Sequence, residues 1–565
     1  MKGFTTIALK RNKGLLSAFV LTAALAALLT MATALSVTDF LQLIFPVGDI
    51  GHTVSSEANP VMRLIGGVYQ FLVAQGTAKA LLLYALLLFV LYGLKNAFSY
   101  LSAVIFARVK VGILRDIRNS LHRSVLGQDF SRWSSQAQGQ WLSRMSNDTA
   151  EYETNVLDSI QMIASATLTM LIYIAMLLYI NWKLTLIVVL VMAVGTLLLS
   201  ASRRLKRESR KLQALNGELM STTQETLDSL KEIKAATAID YVNERQQRQN
   251  AFFTSRRIAI YRRIYAASPL SDLVGNIIVV AILIVGAANS VAAASPTAMP
   301  PALFVSYIMI YVLLLTPIKD FSNAIAQLKK GRGVEERIAE ACTEAVGHPG
   351  EQQPAGPIDS IELRNVAFSY GDNKVFDNLS LSIPMHCHTA ITGPSGSGKT
   401  TMGRMLVGLL RPQSGAVLVN GHPATAGRIA YIPQEPMLFN GTIEANIRFG
   451  RQWVSDDDIA RAVEIAQVEP ILQVHPDGLQ TNIGDGGTLL SGGERQRVNI
   501  ARALAANPDV IVMDEATAAL DAATEQHFSQ SLRRLSGRTL IVIAHRASTI
   551  AGCDVQLNLD ALQTT

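Results

Sequence analysis

Cysteine and charged residues are both scarce in this chain of 565 residues, and each shortage excludes a class of protein. The three cysteines, Cys342, Cys387 and Cys553, lie far apart and form no CxxC pair, so neither a disulfide framework nor a cysteine-ligated zinc site is expected. Charged residues make up 17% of the chain, against about 25% in average soluble proteins. Hydrophobic residues make up 49%, which excludes a disordered chain and argues against a purely soluble enzyme.

Apolar segments long enough to cross a bilayer lie in the first 320 residues. Residues 14–38 carry no charge and exceed the roughly 20 residues that a span needs. Four basic residues precede them, as in a signal peptide, but the apolar stretch exceeds the roughly 7–15 residues of a signal sequence, so it is predicted to be a retained span. Five more spans are predicted at residues 80–106, 160–180, 184–199, 273–294 and 302–317.

Basic residues accumulate in the two long connections between spans, residues 107–159 and 200–272. Since Lys and Arg mark cytoplasmic loops, both connections and both chain termini are predicted to be cytoplasmic, as an even number of spans allows. Ile113, Ile117 and Leu121 recur at helical spacing, which predicts that the spans continue as helices beyond the membrane. The basic residues are interpreted as a topology signal and not as a nucleic-acid site.

The chain changes character at residues 343–358, where glycine and proline are frequent and a linker is predicted. This divides the chain into a membrane domain, residues 1–342, and a second domain, residues 359–565. The second domain has no apolar segment of spanning length, and its alternating strand and helix patterns predict an α/β fold. Residues 1–340 contain 34 Lys and Arg against 21 Asp and Glu, whereas residues 341–565 contain 16 against 23, so the basic character belongs to the membrane half.

A phosphate-binding loop is the most specific motif of the second domain. Residues 393–400, GPSGSGKT, match the GxxxxGK[ST] pattern between a predicted strand, residues 389–392, and a predicted helix, residues 401–410. Its glycines let backbone N–H groups surround phosphate, Lys399 neutralises the outer phosphates, and the Thr400 hydroxyl ligates Mg²⁺. The predicted phosphate-binding residues are Gly393, Ser395, Gly396, Ser397, Gly398, Lys399, Thr400 and Thr401.

Two further clusters complete a nucleotide-hydrolysing site. Asp514 and Glu515 end an apolar strand, which suits Asp514 to hold Mg²⁺ and Glu515 to activate the attacking water. A second anion-binding helix N-terminus is predicted at the start of the helix opened by Ser491, Gly492, Gly493 and Glu494. One chain with both a phosphate loop and a second phosphate-binding helix start predicts two copies that sandwich the nucleotide.

Together these motifs resemble an ATP-binding cassette (ABC) exporter half-transporter of the lipid-flippase-like type, over nearly the whole chain. The resemblance implies an all-α six-helix transmembrane domain followed by an α/β P-loop ATPase domain, with ATP and Mg²⁺ as ligands. It also implies that Tyr370 stacks on adenine, that Gln434 contacts Mg²⁺, that Asp521 lies in the D-loop and that His545 contacts the γ-phosphate. Catalysis is then expected from Glu515, His545 and Gln434.

The chain departs from the family pattern at three places. Glu494 replaces the usual glutamine of the signature motif, and Asp485 with Gly486 replaces the usual glutamate and the arginine that often follows it in the X-loop. The hairpin and helices that follow the switch histidine in the family are expected to be shortened here. By resemblance, coupling helices are expected near residues 128–135 and 238–243.

The expected partners are a second copy of the chain, with a similar heterodimer partner as the alternative, together with membrane lipid. Expected cargo is amphipathic, such as a lipid, glycolipid, peptide or drug-like molecule, and Lys95 with Asn96 is the candidate cargo contact within the spans. The expected location is the bacterial inner membrane. Import of a metal–siderophore complex and an ATP-gated channel or regulatory subunit remain the alternative functions.

Overall fold

The computed structural model describes residues 10–44, 77–128, 138–200, 220–265, 276–284, 301–343, 356–371, 373–516, 537–544 and 546–563, with isolated positions between them. The chain forms two compact units. The first comprises Met1–Arg118 and Ser146–Ala339, and the second comprises Asn119–Met145 and Glu340–Thr565.

The first unit is helical in its described part, apart from short turns such as residues 236–238. Its longer helices, some of which continue past the unit boundary, are α1 (Lys13–Ile44), α2 (Thr77–Leu126), α3 (Asp158–Ser200), α4 (Ile239–Tyr265) and α5 (Pro301–Thr343). Its shorter elements are the helices Thr149–Tyr152 and Leu230–Ala235 and the π-helical turn Glu153–Leu157. The helix Gln138–Ser143 belongs to the second unit, and the π-helical turn Arg144–Asp148 crosses the unit boundary.

Four helical segments of the described chain are long and apolar enough to cross a membrane: Lys13–Val37, Ala78–Leu126, Gly139–Leu186 and Phe304–Cys342. They contain the second and third spans predicted from the sequence, and they cover all but one or two residues of the first and sixth. The fourth, residues 184–199, has a helical backbone within α3. Of the fifth, only residues 273 and 276–284 lie among the described residues, and they are helical.

The predicted turn between the third and fourth spans lies within α3. Asn181 leaves the helical conformation, at φ −156° and ψ 97°, and its side-chain oxygen accepts the backbone N–H of Leu184 at 3.0 Å. This is the geometry of a helix N-cap, so Asn181 ends one helix and starts the next. The neighbouring Trp182 is 58% exposed, as expected of an aromatic residue at a membrane surface.

Helix α2 continues 20 residues past the predicted end of its span, as the sequence predicts. Ile113, Ile117 and Leu121 on this extension are all at most 1% exposed. Ion pairs also join the helices of the first unit. The Lys110 ammonium lies 3.1 Å from carboxylate oxygens of both Glu153 and Asp158.

Helix α5 packs tightly against the π-helical turn Glu153–Leu157 at Gly331. A Cβ atom at Gly331 would lie 2.5 Å from Cγ2 of Val156 and 3.2 Å from backbone and side-chain carbons of Asn155. Two residues later, Gly333 has open space, with its nearest neighbour at 4.0 Å. An alanine at Gly333 therefore changes helix propensity alone, whereas an alanine at Gly331 also changes the packing.

We expect Gly331→Ala to lower and Gly333→Ala to raise the thermal unfolding midpoint in detergent. Alanine favours a helix over glycine by about 1 kcal/mol, and Gly333→Ala gains this term without a clash. At Gly331 the same gain is exceeded by overpacking, which costs about 1–3 kcal/mol. Equal shifts for both variants would contradict the close packing at Gly331.

The second unit contains two β-sheets. One is antiparallel, in the order β2-β1-β4-β5, and the other is parallel, in the order β6-β7-β8-β3-β9. The strands are β1 (Ile361–Tyr370), β2 (Asn373–Ile383), β3 (His388–Thr392), β4 (Ser414–Val419), β5 (His422–Pro423), β6 (Ala430–Ile432), β7 (Val510–Asp514), β8 (Thr539–Ile543) and β9 (Val555–Asn558).

Most helices of the second unit lie between these strands in the chain, and the last one follows β9. They are α6 (Lys399–Leu406), α7 (Ile443–Arg448), α8 (Asp456–Ile465), α9 (Glu469–Val474), α10 (Gly492–Leu504), α11 (Ala547–Ala551) and α12 (Leu559–Gln563). All five residues of β7 and of β8 are buried, which explains why these strands are continuous apolar runs in the sequence. Because β3 and β7 both pair parallel with β8, their carboxyl ends lie at one edge of the sheet, and both ends carry site residues.

Candidate functional site

The phosphate-binding loop connects β3 to α6, as the sequence predicts. The helix begins at Lys399 and ends at Leu406, so the predicted bounds of residues 401–410 are corrected. The end is early because Gly408 has φ +73°, a left-handed conformation that terminates helices. The Lys399 side chain is buried, and its ammonium donates to the carbonyls of Gly393 at 2.9 Å and Pro394 at 2.8 Å.

Gly398 is the most constrained residue of this loop. It has φ 91° and ψ 13° at the N-cap of α6. A Cβ atom there would lie 2.6 Å from Cγ1 of Val375 and within 2.8 Å of the Phe376 ring. Strand β2 therefore presses against the loop, and only glycine satisfies both the backbone conformation and the space.

Asp514 is the last residue of β7 and is 2% exposed. Its Oδ1 accepts the Thr400 hydroxyl at 3.0 Å, and its Oδ2 accepts the Tyr431 hydroxyl at 3.0 Å. Burial and the neighbouring Asp514 carboxylate raise the pKa of Tyr431, which keeps the phenol protonated as a donor. Sequence reasoning selected Thr400 and Asp514 but missed Tyr431.

Gln434 and Glu515 lie together at the same edge of the sheet. The Gln434 side-chain amide donates to Oε2 of Glu515 at 2.9 Å. The Glu515 backbone has φ 49°, a left-handed conformation that is unfavourable for a side chain of this size, and its N–H donates to the Ile543 carbonyl at 3.0 Å. The strained backbone holds the carboxylate beyond the end of the strand, a pattern common at functional residues.

The second predicted anion-binding site is the N-terminus of helix α10, whose N-cap is Ser491. The Ser491 hydroxyl accepts the Glu494 N–H at 3.3 Å, and the Glu494 carboxylate accepts the Ser491 N–H at 2.8 Å. This is a capping box, so the glutamate that departs from the family pattern has a structural role. Ser491 and Gly492 are exposed and Gly493 is half-buried.

We expect Glu494→Gln to keep the thermal stability of the chain and Glu494→Ala to lower it. Glutamine retains the side-chain acceptor of the capping box, while alanine loses it at a cost of about 0.5–2 kcal/mol. The hydrogen bond from the Ser491 N–H lowers the pKa of Glu494. The contribution of the ionised carboxylate is therefore complete above its ordinary pKa of 4.5 and is lost as the pH falls through the lowered value. Unfolding midpoints of the three proteins between pH 4 and pH 8 test this, and an alanine variant as stable as the parent would contradict it.

Of the other residues that the family resemblance implies, some lie among the described residues and some do not. Tyr370 ends β1 with 40% of its surface exposed, and its ring meets Phe368 edge-on at 4.9 Å. Asp485 of the X-loop accepts the side-chain amide of Asn440 at 2.5 Å. Asp521 and His545 lie outside the described residues.

The candidate cargo residues lie on α2. Lys95 is half-buried and its ammonium lies 5.9 Å from the centre of the Tyr92 ring, while Asn96 is exposed. Their assignment as cargo contacts stays a prediction.

Two family models match the chain. The model of the ABC transporter transmembrane region matches residues 16–318, and the ABC transporter model matches residues 376–518. The transmembrane model alone covers more than half of the chain, and the ABC transporter model includes the phosphate loop and the Asp514–Glu515 pair.

Relatives that align with most of this chain belong to the same family. The chain is 31% identical over 493 residues to an ATP-dependent lipid A-core flippase of Nitrosococcus oceani, which covers 83% of this chain and 80% of the relative. It is 30% identical over 479 residues to an ATP-dependent lipid A-core flippase of Desulfotalea psychrophila, with coverage of 82% and 83%.

A solved structure of a bacterial Atm1-family ABC exporter with ATP bound has the same fold. Its TM-score is 0.76 at 24% sequence identity, over 98% of this chain and 94% of that one. The helical first unit, the phosphate-loop domain and these matches agree. The chain is therefore an integral membrane protein of the ABC transporter family, with transmembrane region and ATP-binding domain in one polypeptide, and it couples ATP hydrolysis to transport.

Proposed function

We propose that this transporter is a homodimeric exporter that flips an amphipathic, lipid-like cargo across the bacterial inner membrane. The observation that carries the proposal is the joint arrangement of Thr400, Asp514, Gln434 and Glu515 at the sheet edge beside the phosphate loop. It supports a chain that hydrolyses ATP itself, which a purely regulatory subunit or a gated channel does not require.

The residues around Asp514 fit Mg²⁺. The Thr400 hydroxyl and the Asp514 carboxylate supply two oxygen donors within 3.0 Å of each other, and the Gln434 side chain lies at the same edge. Oxygen ligands of this kind, shared with substrate phosphates, are what Mg²⁺ prefers. When bound, Mg²⁺ would offset the negative charge that develops on the phosphates.

Hydrolysis follows from the positions of the other side chains. Lys399 exchanges its loop carbonyl partners for phosphate oxygens, and the loop N–H groups surround the same phosphates. Glu515 orients the attacking water and accepts its proton, while Gln434 holds the carboxylate through the bond observed here. Tyr370 offers its exposed ring to adenine, and Asp521 and His545 complete the site by resemblance.

A second copy supplies the other half of each site. The start of α10, at Ser491, Gly492 and Gly493, presents its N-terminus to solvent in the single chain. Helix N-termini favour anions, so this start is suited to the nucleotide held by the phosphate loop of the second copy. ATP then favours the closed dimer, and hydrolysis favours its opening, which drives alternating access in the spans.

The names of the relatives support a lipid-like cargo, since they are flippases of lipid A-core. Lys95 on α2 is the proposed contact for an anionic or amphipathic headgroup. The excess of Lys and Arg in the first 340 residues supports a cytoplasmic position for both termini and the ATPase domain.

Stimulation of ATP hydrolysis in nanodiscs tests the cargo class. We expect lipids with large anionic headgroups to raise the ATPase rate of the purified chain, and peptides or metal chelates to leave it unchanged. The variant Lys95→Ala should reduce this stimulation, and Lys79→Ala, at the start of α2, serves as its control. Stimulation by a metal chelate alone would favour the importer function instead.

A further inference from the structure

Tyr431 fixes one face of the Asp514 carboxylate. It lies on β6 opposite Val512 of β7, and this register places its hydroxyl 3.0 Å from Oδ2 of Asp514. The Thr400 hydroxyl holds Oδ1 at the same distance. With both oxygens bonded and the residue buried, the orientation of the carboxylate depends on both partners.

Arg404 on α6 lies close to both Tyr431 and Phe130. Thr400 and Arg404 are four residues apart on this helix and therefore lie on the same face. The Arg404 guanidinium lies near the Tyr431 phenol and opposes the rise in its pKa. Its guanidinium carbon also lies 5.6 Å from the centre of the Phe130 ring, within the range of a cation–π interaction.

Phe130 belongs to the connection between the second and third predicted spans. It follows α2, and it packs against the apolar core formed by β1, β2 and the helix that carries Arg404. Phe130, Arg404, Tyr431 and Asp514 all lie within the second unit. Each member of this series lies beside the next, from the membrane-domain connection to the carboxylate at the end of β7.

We propose that Arg404 and Tyr431 are positioning residues that link the Phe130 connection to the Asp514 carboxylate, so that movement of this connection changes the affinity of the ATPase site for Mg²⁺. The inference rests on the proposed Mg²⁺ site and assigns it an input from the membrane domain. When Phe130 moves away, Arg404 loses the ring contact that holds its guanidinium beside Tyr431, and the Tyr431 hydroxyl holds Oδ2 less firmly. Coupling of this kind requires non-additive mutations, which a double-mutant cycle measures.

The test measures the half-saturating Mg²⁺ concentration for the full chain in nanodiscs in two ways, from ATP hydrolysis and from the binding of a fluorescent, non-hydrolysable ATP analogue. We expect Tyr431→Phe, which removes a single hydroxyl, to raise the half-saturating Mg²⁺ concentration about 5- to 10-fold, the loss typical of one hydrogen bond to a charged group. The rate at saturating Mg²⁺ should stay within about twofold, since the groups that act on water are untouched. Tyr307→Phe is the matched control, because it removes another hydrogen-bonded tyrosine hydroxyl, bonded to Thr185 at 3.1 Å in the first unit.

The link from the membrane side is tested by Phe130→Leu and Arg404→Gln. Each should raise the half-saturating Mg²⁺ concentration about 2- to 5-fold, Arg404→Lys should restore it, and Phe130→Leu should add nothing to Tyr431→Phe. Unchanged Mg²⁺ dependence in Tyr431→Phe, or effects that multiply in the double variant, would overturn the inference. Asp514→Asn separates the two proposals: if it leaves the Mg²⁺ dependence unchanged, the proposed Mg²⁺ site itself fails.

Discussion

Glu515→Gln should reduce steady-state ATP hydrolysis by about 100-fold or more while ATP still binds, because it removes the general base and keeps the shape of the side chain. The Gln434 amide, which now donates to Oε2 of Glu515, meets an amide oxygen of the same size in the variant. The phosphate loop and Asp514 are untouched, so nucleotide affinity should stay within about threefold. Phosphate release and binding of a fluorescent ATP analogue measure the two quantities.

The matched control for this prediction is Glu435→Gln. Glu435 is an exposed carboxylate that directly follows Gln434 in the chain, so the variant makes the same chemical change beside the site. Its hydrolysis rate should stay within about twofold of the parent. Equal loss in both variants, or an undiminished rate in Glu515→Gln, would contradict the assignment of Glu515.

Gly398→Val should strongly weaken ATP binding without preventing the chain from folding. Valine at φ 91° is strained, and its Cβ would overlap Cγ1 of Val375 and the Phe376 ring. The loop must then move away from β2, and its N–H groups no longer converge on phosphate, which should weaken ATP binding by about 100-fold or more. Titration with a fluorescent ATP analogue measures this loss.

Gly427→Val is the control for the crowding at Gly398. Gly427 has φ 98°, a similar left-handed conformation, but no atom lies within 4 Å of its Cβ position. This variant should show the cost of backbone strain alone, about 1–3 kcal/mol of stability, with ATP affinity retained. Equal ATP affinity in the two variants would show that the contact of β2 with the loop is unimportant.

The sequence predicts the parts of the site that are local in the chain. The GPSGSGKT motif fixes a loop between a strand and a helix, and the apolar run before Asp514 fixes a buried strand with this carboxylate at its tip. The spans follow from uninterrupted apolar segments, and Asn181 marks the turn between two of them. In each case the determining residues are neighbours in sequence.

What the sequence did not predict depends on pairing between distant segments. Tyr431 reaches Asp514 only because β6 lies beside β7 in one register, and the two residues are 83 positions apart. Phe130 and Arg404 are still farther apart in the chain, and an aromatic residue in a membrane-domain connection carries no signal for its partner. Glu494 is different, since Ser491 with Glu494 spells the S-x-x-E capping box, a local signal that was available in the sequence.

ATP-dependent movement of a fluorescent anionic lipid between the leaflets of proteoliposomes tests the central claim most directly. The purified chain should move the lipid when ATP and Mg²⁺ are supplied on the side of the ATPase domain, and the Glu515→Gln variant should not. Lipid movement that is equally fast in both proteins, or its absence in a parent protein that hydrolyses ATP, would contradict the account.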